Sequence, residues 1–171
     1  VAWGDKLASE GPAAFYSADY FADYPPGYIL VLGLVSLVRK ALQLSYESHW
    51  TYFLLALIPA ICDCAAVVLL DHISRRYMGQ GRAQRCLVLF AAFCPLTLFD
   101  TGIWKQIDGA FALPLLLCFW LLEERRYLLA AVLYGVALAI KPQALLAGPV
   151  LAVCFLVAIA DAVRDGKSPL K

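Results

Sequence analysis

Eight side chains of this 171-residue chain have the types and grouping that would hold a sugar and a phosphate. Asp19, Asp23 and Tyr24 stand just ahead of a Pro25-Pro26-Gly27 step. Trp104, Gln106 and Asp108 fill a short polar break, and Lys141 and Gln143 flank Pro142. Carboxylates and amides hydrogen-bond hydroxyls, aromatic faces stack on the C–H surface of a sugar, and a lysine ammonium neutralises phosphate as a point charge. A carboxylate so placed also accepts the proton of an attacking hydroxyl. Each residue has a plainer role open to it. Asp23 can cap the helix that Pro25-Pro26 opens, and Asp108 a helix over 109–122. Trp104 can anchor a membrane interface, Asp19 reads equally as a solvated loop acid, and Lys141 is favoured at a helix C-terminus by the dipole alone.

What must position these groups is a set of apolar runs. The chain is 63% hydrophobic and 16% charged, with a mean hydropathy of +0.74, whereas soluble domains are about half apolar and a quarter charged. The net charge of +1 says nothing about nucleic acid, and without a basic, aromatic-interleaved cluster no nucleic-acid partner is expected. Runs at about 50–70, 84–102, 109–122, 127–140 and 143–161 read as membrane-crossing helices. Several are shorter than the roughly 20 residues a crossing takes, and their flanks or neighbouring helices must complete them. The expected fold is all-α, a polytopic membrane helix bundle of about five crossings forming one domain over residues 1–171. Residues 1–28 form an external loop with one short helix, broken early by Gly11-Pro12.

Basic residues near helix ends favour the cytoplasm. With the 50–70 helix running inward, Arg75, Arg76, Arg82, Arg85, Arg125, Arg126, Arg164 and Lys167 fall inside. The breaks at 100–108 and 141–143 then face out, carrying only Lys105 and Lys141. Were residues 29–46 also to cross, Arg39 and Lys40 would lie inside and every later loop would invert. Residues 29–46 are therefore expected to form an interfacial or partly inserted helix, with Arg39 and Lys40 at headgroup level.

The remaining polar residues read structurally. Asp63, mid-run, would cost about 2.5–3.5 kcal/mol in hydrocarbon, so it is expected to face the bundle and hydrogen-bond a neighbouring helix. The six cysteines read as small hydrophobes packed between helices. Neither they nor His49 and His72 have ligand spacing, and no metal is expected. Glu123-Glu124-Arg125-Arg126 reads as a solvated turn. The chain starts at Val1, its one methionine is Met78, and no signal-peptide pattern is present. It is expected to be a piece of a longer protein.

Asp23-Tyr24-Pro25-Pro26-Gly27-Tyr28, then Ile103-Trp104-Lys105-Gln106-Ile107-Asp108, then Lys141-Pro142-Gln143 occur in order at helix boundaries. This set resembles the integral-membrane GT-C glycosyltransferases that use polyprenyl-phosphate sugars, in particular the GPI-mannosyltransferase-like and oligosaccharide-glucosyltransferase-like groups. The Asp-x-Pro-Pro step is also similar to an external loop of the protein O-mannosyltransferases. The resemblance implies transfer of a hexose, with inversion, from a lipid-linked donor at the extracytoplasmic face. It implies Asp23 and Asp19 as catalytic candidates, and Tyr24, Trp104, Gln106, Asp108, Lys141 and Gln143 around the substrates. It implies no cofactor beyond the donor, and membrane lipid and a lipid-linked sugar as partners.

This chain departs from the family at Lys105, where Trp-Gly-Gln-x-Asp is usual. With Trp3 as the tryptophan of the family's Phe-x-x-Trp, the principal acid would lie before Val1. The location implied is a bacterial cytoplasmic membrane or an endoplasmic reticulum. The alternative reading is a non-catalytic or transporter-like bundle that binds or moves a lipid-linked saccharide.

Overall fold

Proline and glycine mark most of the breaks between the helices of this chain. The computed structural model describes residues 1–16 and 21–166, and the regular elements among them are helices. Helix α1 (Ala2–Glu10) ends at Gly11, whose φ of 80° is left-handed, and Pro12 opens the short α2 (Pro12–Phe15). The N-terminal stretch thus carries two helices rather than the single one expected. Pro25 and Pro26 open α3 (Pro26–Ala41), because proline at the first helical positions gives up no needed N–H. Its last turn carries Arg39 and Lys40, the sign that the C-terminal dipole favours.

Ser48 caps α4 (His49–Met78), its hydroxyl accepting from the Trp50 N–H at 3.3 Å. At 30 residues α4 is about 45 Å long. Then follow α5 (Arg82–Ala92), α6 (Pro95–Phe99) and one π turn, Asp100–Trp104. The break at Cys94 comes where Pro95 cannot donate to the preceding turn. After it come α7 (Asp108–Glu123), α8 (Tyr127–Ile140), a 3₁₀ segment Pro142–Ala147, and α9 (Gly148–Arg164).

Among the described residues, three stretches are long and apolar enough to cross a membrane: His49–Met78, Arg82–Trp104 and Pro142–Arg164. The runs at 109–122 and 127–140 become α7 and α8, of 16 and 14 residues. At about 24 and 21 Å, each alone falls short of ~30 Å of hydrocarbon. They pack on one another as a hairpin, and α7 lies against α4. A small core of Cys118, Leu121, Ala130 and Leu151 joins α7, α8 and α9. Large apolar side chains such as Val68, Phe90, Phe93 and Leu156 stay exposed, as a bundle solvated by lipid requires. The molecule is an all-helical integral membrane bundle.

Two clasps fix the ends. Near the N-terminus α1 packs on α3, and the Arg39 guanidinium donates to both Asp5 oxygens at 2.9 Å and to the Leu44 carbonyl at 2.9 Å. Arg39 is buried in this clasp against Asp5 from α1. At the arginine-rich end, Arg76 pairs with Glu124, Tyr77 donates to Glu123, and Arg125 lies 3.7 Å from Asp165. Glu123 and Glu124 therefore tie the α7–α8 turn to α4 rather than only facing solvent.

Candidate active site

The other end of the bundle gathers the polar breaks. Lys141 ends α8 in an extended conformation, and its ammonium donates to an Asp108 carboxylate oxygen at the start of α7. The lysine side chain is 11% exposed and the aspartate 41%, so the cation lies inside and the carboxylate faces out. The dipole explains the lysine's place at the end of α8, and the acid at the head of α7 is favoured in the same way.

Asp63 stands behind this pair. Its carboxylate accepts from the Thr101 hydroxyl of the π turn, a hydrogen bond to a neighbouring element as its place in an apolar run requires. Asp100 is within electrostatic reach of Asp63, Asp108 and Lys141. Gly109 makes this approach possible, since a Cβ there would stand 2.2 Å from an Asp63 oxygen.

The π turn sets how the next residues leave. Its backbone closes with the Gln106 N–H donating to the Asp100 carbonyl at 3.1 Å. Lys105 then takes a left-handed conformation, φ 58°, that glycine would adopt without cost. Its ammonium donates to the Ile103 carbonyl at 3.0 Å and lies 5.4 Å from the Tyr52 ring centre. Lys105 thus caps its own turn and leaves the Asp108–Lys141 pair alone. The departure from Trp-Gly-Gln-x-Asp falls at the one residue of the motif where backbone geometry favours glycine.

A cleft of about 460 Å³ begins at the residues that follow Lys141 in the chain and is lined by Asp23, Tyr24, Pro142, Gln143, Leu145 and Leu146. Gly27 brings α3 to this end by backbone contact, since a Cβ there would meet the Ala139 carbonyl oxygen at 2.5 Å. Tyr24 is held from three sides. Trp3 stands 5.8 Å from its ring and Tyr28 4.5 Å, and the Tyr16 hydroxyl donates to its carbonyl at 2.9 Å. Burial, with Tyr24 beside it, pushes the Tyr28 phenol up to about 12, so it remains protonated at neutral pH.

The structure brings Asp23, Tyr24 and Gln143 to one cleft and joins Asp108 to Lys141. Gln106 is half-buried behind the turn, and Trp104 is exposed with its ring edge-on to Phe99 at 6.2 Å. Asp19 lies outside the described residues. Asp100, Thr101, Trp3 and Tyr28 were not singled out for the site, yet they brace it. The pair Asp63 and Thr101 carries a sequence signal, an acid and a hydroxyl inside apolar runs; nothing in the sequence indicates that they meet. Among the described residues no three His, Cys, Asp or Glu side chains converge as metal ligands.

Helices long and apolar enough to cross a membrane, packed as a bundle with Asp23, Tyr24 and Gln143 on a cleft, define an integral membrane protein. The model of glycosyltransferase family 87 matches residues 21–162, and the chain belongs to that family. It is a membrane glycosyltransferase chain. No curated protein and no solved structure matches it.

Proposed function

We propose that the protein transfers a mannose- or glucose-like hexose from a polyprenyl-phosphate sugar to an acceptor hydroxyl at the extracytoplasmic face. The membrane is a bacterial cytoplasmic membrane or an endoplasmic reticulum. One observation carries the reading. The cleft has Asp23, Tyr24 and Gln143 on it together with Leu145 and Leu146, which are 62% and 83% exposed, and Lys141 immediately precedes it. A lipid-linked donor asks for this combination: an apolar rail for the chain, a cation for the phosphate, and carboxylates and amides for the sugar.

In this reading the donor phosphate takes over the Lys141 ammonium, with Gln143 beside it. Asp108, so released, accepts from sugar hydroxyls with Gln106, and Trp104 offers a stacking face. Tyr24 floors the acceptor side. Asp23, with Asp19, orients the acceptor and takes its proton as the oxygen attacks the anomeric carbon. The bond from that carbon to the phosphate oxygen breaks, and polyprenyl phosphate leaves with the electron pair. Attack opposite the leaving group inverts the centre. Sidedness is supported by the opposite end, where the arginines collect, since cytoplasmic loops carry the basic excess. The same argument supports α3 as an outer interfacial helix.

The test is transfer in membrane vesicles containing the full-length protein, with labelled polyprenyl-phosphate mannose and glucose. Asp23→Asn and Lys141→Ala should each lower transfer by about 10²-fold or more. Undiminished transfer in both variants overturns the site, and transfer from sugar nucleotides alone overturns the donor.

A further inference from the structure

We propose that the arginine-rich end holds a second site, a pocket for the phosphodiester headgroup of an anionic phospholipid between the end of α4 and the start of α5. A cleft of about 320 Å³ lies there, lined by Asp71, Arg75, Gln80, Gln84, Arg85, Val88 and Leu89. Its residues on α4, Asp71 and Arg75, lie about 12 and 18 Å along the helix from Asp63, and it shares no residue with the cleft at Pro142 and Gln143.

The cleft is built from within. Gln84 is buried, 3% exposed, and uses its amide N–H groups on Asp71 Oδ1 at 2.7 Å and Ser74 Oγ at 3.1 Å. Arg75 holds the same carboxylate through Nε at 3.1 Å and a terminal nitrogen at 2.7 Å. Asp71, which also lines the cleft, is thereby paired through both of its oxygens. Arg85 has no ion pair or hydrogen bond among the described residues, and it lines the cleft. Two arginines against one aspartate leave one positive charge on the lining, the complement of one phosphodiester.

Apolar surface continues from the polar floor. Val88 and Leu89 follow one turn on along α5, with Leu89 57% exposed, an acyl-chain path leading from the headgroup. Basic pockets between membrane helices bind anionic headgroups on the same grounds, and a soluble phosphate would use the arginines without the apolar path.

Native mass spectrometry of the detergent-purified full-length protein, titrated with phosphatidylglycerol or phosphatidylcholine, reads the site without any transfer assay. Phosphatidylglycerol should be retained preferentially. Arg85→Gln should cut that preference about fivefold, Arg85→Lys should keep most of it, and Arg164→Gln, at the same end but outside the cleft, should leave it intact. Equal losses from Arg85→Gln and Arg164→Gln would mean diffuse attraction to a basic end and overturn the pocket. Displacement of the lipid by millimolar inorganic phosphate would overturn the lipid as occupant. Equal retention of the two lipids would overturn the phosphodiester charge match.

Discussion

Gly109→Ala tests the packing beneath the site most directly. A Cβ at position 109 would stand 2.2 Å from an Asp63 carboxylate oxygen and 2.8 Å from both Asp63 Cγ and the Pro59 carbonyl oxygen. The Asp63 side chain can swing, but only by giving up its bond from Thr101, worth about 1.5–3 kcal/mol for a charged acceptor. The Pro59 carbonyl is backbone and cannot. Ordinary contact begins at 3.4 Å, so α7 must withdraw from α4 by 3.4 less 2.8, about 0.6 Å. Overpacking of this kind costs about 1–3 kcal/mol, and several degrees of thermal stability. Asp108 precedes Gly109 and moves with it, away from the position that holds Lys141. Misplacement by 1 Å costs about 10²-fold in rate, so 0.6 Å should cost roughly tenfold. Thermal unfolding of the purified protein reads the first effect, and transfer in membranes the second. Gly135→Ala is the control, since a Cβ there meets nothing within 4 Å. Wild-type melting in Gly109→Ala would refute the α4–α7 contact, whatever the substrate proves to be.

Asp5→Asn and Arg39→Met should each cost about 2–3 kcal/mol, below the range for a fully buried pair because these side chains remain 19% and 11% exposed. The double variant should cost less than the sum of the two single costs, as thermal melts in a mutant cycle will report. Burial pushes the Asp5 carboxyl up, yet hydrogen bonds from Tyr46 and Arg39 and the Arg39 charge outweigh it and hold it below its ordinary value. A depressed folded value gives stability that is complete above the unfolded pKa of about 3.9 and lost as pH falls through the folded one. The melting gap between wild type and Asp5→Asn should therefore close on acidification; a gap constant from pH 7 to pH 3 would contradict this. Lys105→Gly should be more stable than Lys105→Val by about 1–2 kcal/mol, and equal stabilities would argue against the left-handed backbone at 105.

The helical bundle was legible because hydropathy is a property of local sequence. Pro25-Pro26 and Gly11-Pro12 gave a start and a stop by rules that need only neighbours. The site was legible as a set of types and in the order of its motifs, not in its contacts. Lys141 and Asp108 are 33 residues apart and meet because α7 and α8 form a hairpin. Their pairing depends on the length of both helices, which hydropathy gives only to within a turn. The role of Lys105 was not legible either. A lysine beside Trp104 and Gln106 reads equally as a charge for the site or as a side chain facing the headgroups, and only the π turn's exit angle shows it folded back on Ile103. Asp63 was legible as a residue that needs a partner, and Thr101 supplies one from a segment whose irregular turn no periodicity announces.

Arg39 shows where a count of charges misleads. The expectation that residues 29–46 do not cross counted Arg39 and Lys40 as two free cations. Arg39 is taken up by Asp5, the Leu44 carbonyl and the Tyr46 ring 4.8 Å away, which leaves Lys40 as the exposed cation at the end of α3. One lysine is a weaker signal than a pair. The proposal of an interfacial α3 gains support from packing instead. At 16 residues, about 24 Å, α3 is short for a crossing. More tellingly, α1 lies along it, with Leu7 against Gly33 and Gly4 against the Leu32 carbonyl. A crossing α3 would carry Asp5, Lys6 and Glu10 of α1 into hydrocarbon, where even paired charges keep part of their desolvation cost. Asp5 has Arg39 there, but in the Lys6–Glu10 pair at 3.3 Å the glutamate is 49% exposed and would lose that contact with water. In a protein whose native cysteines are replaced, Lys40→Cys should then react with an impermeant thiol reagent from the same side as Lys105→Cys, and Gln80→Cys from the other. Reaction of Lys40→Cys on the Gln80 side would mean that α3 crosses after all, with α1 drawn in beside it.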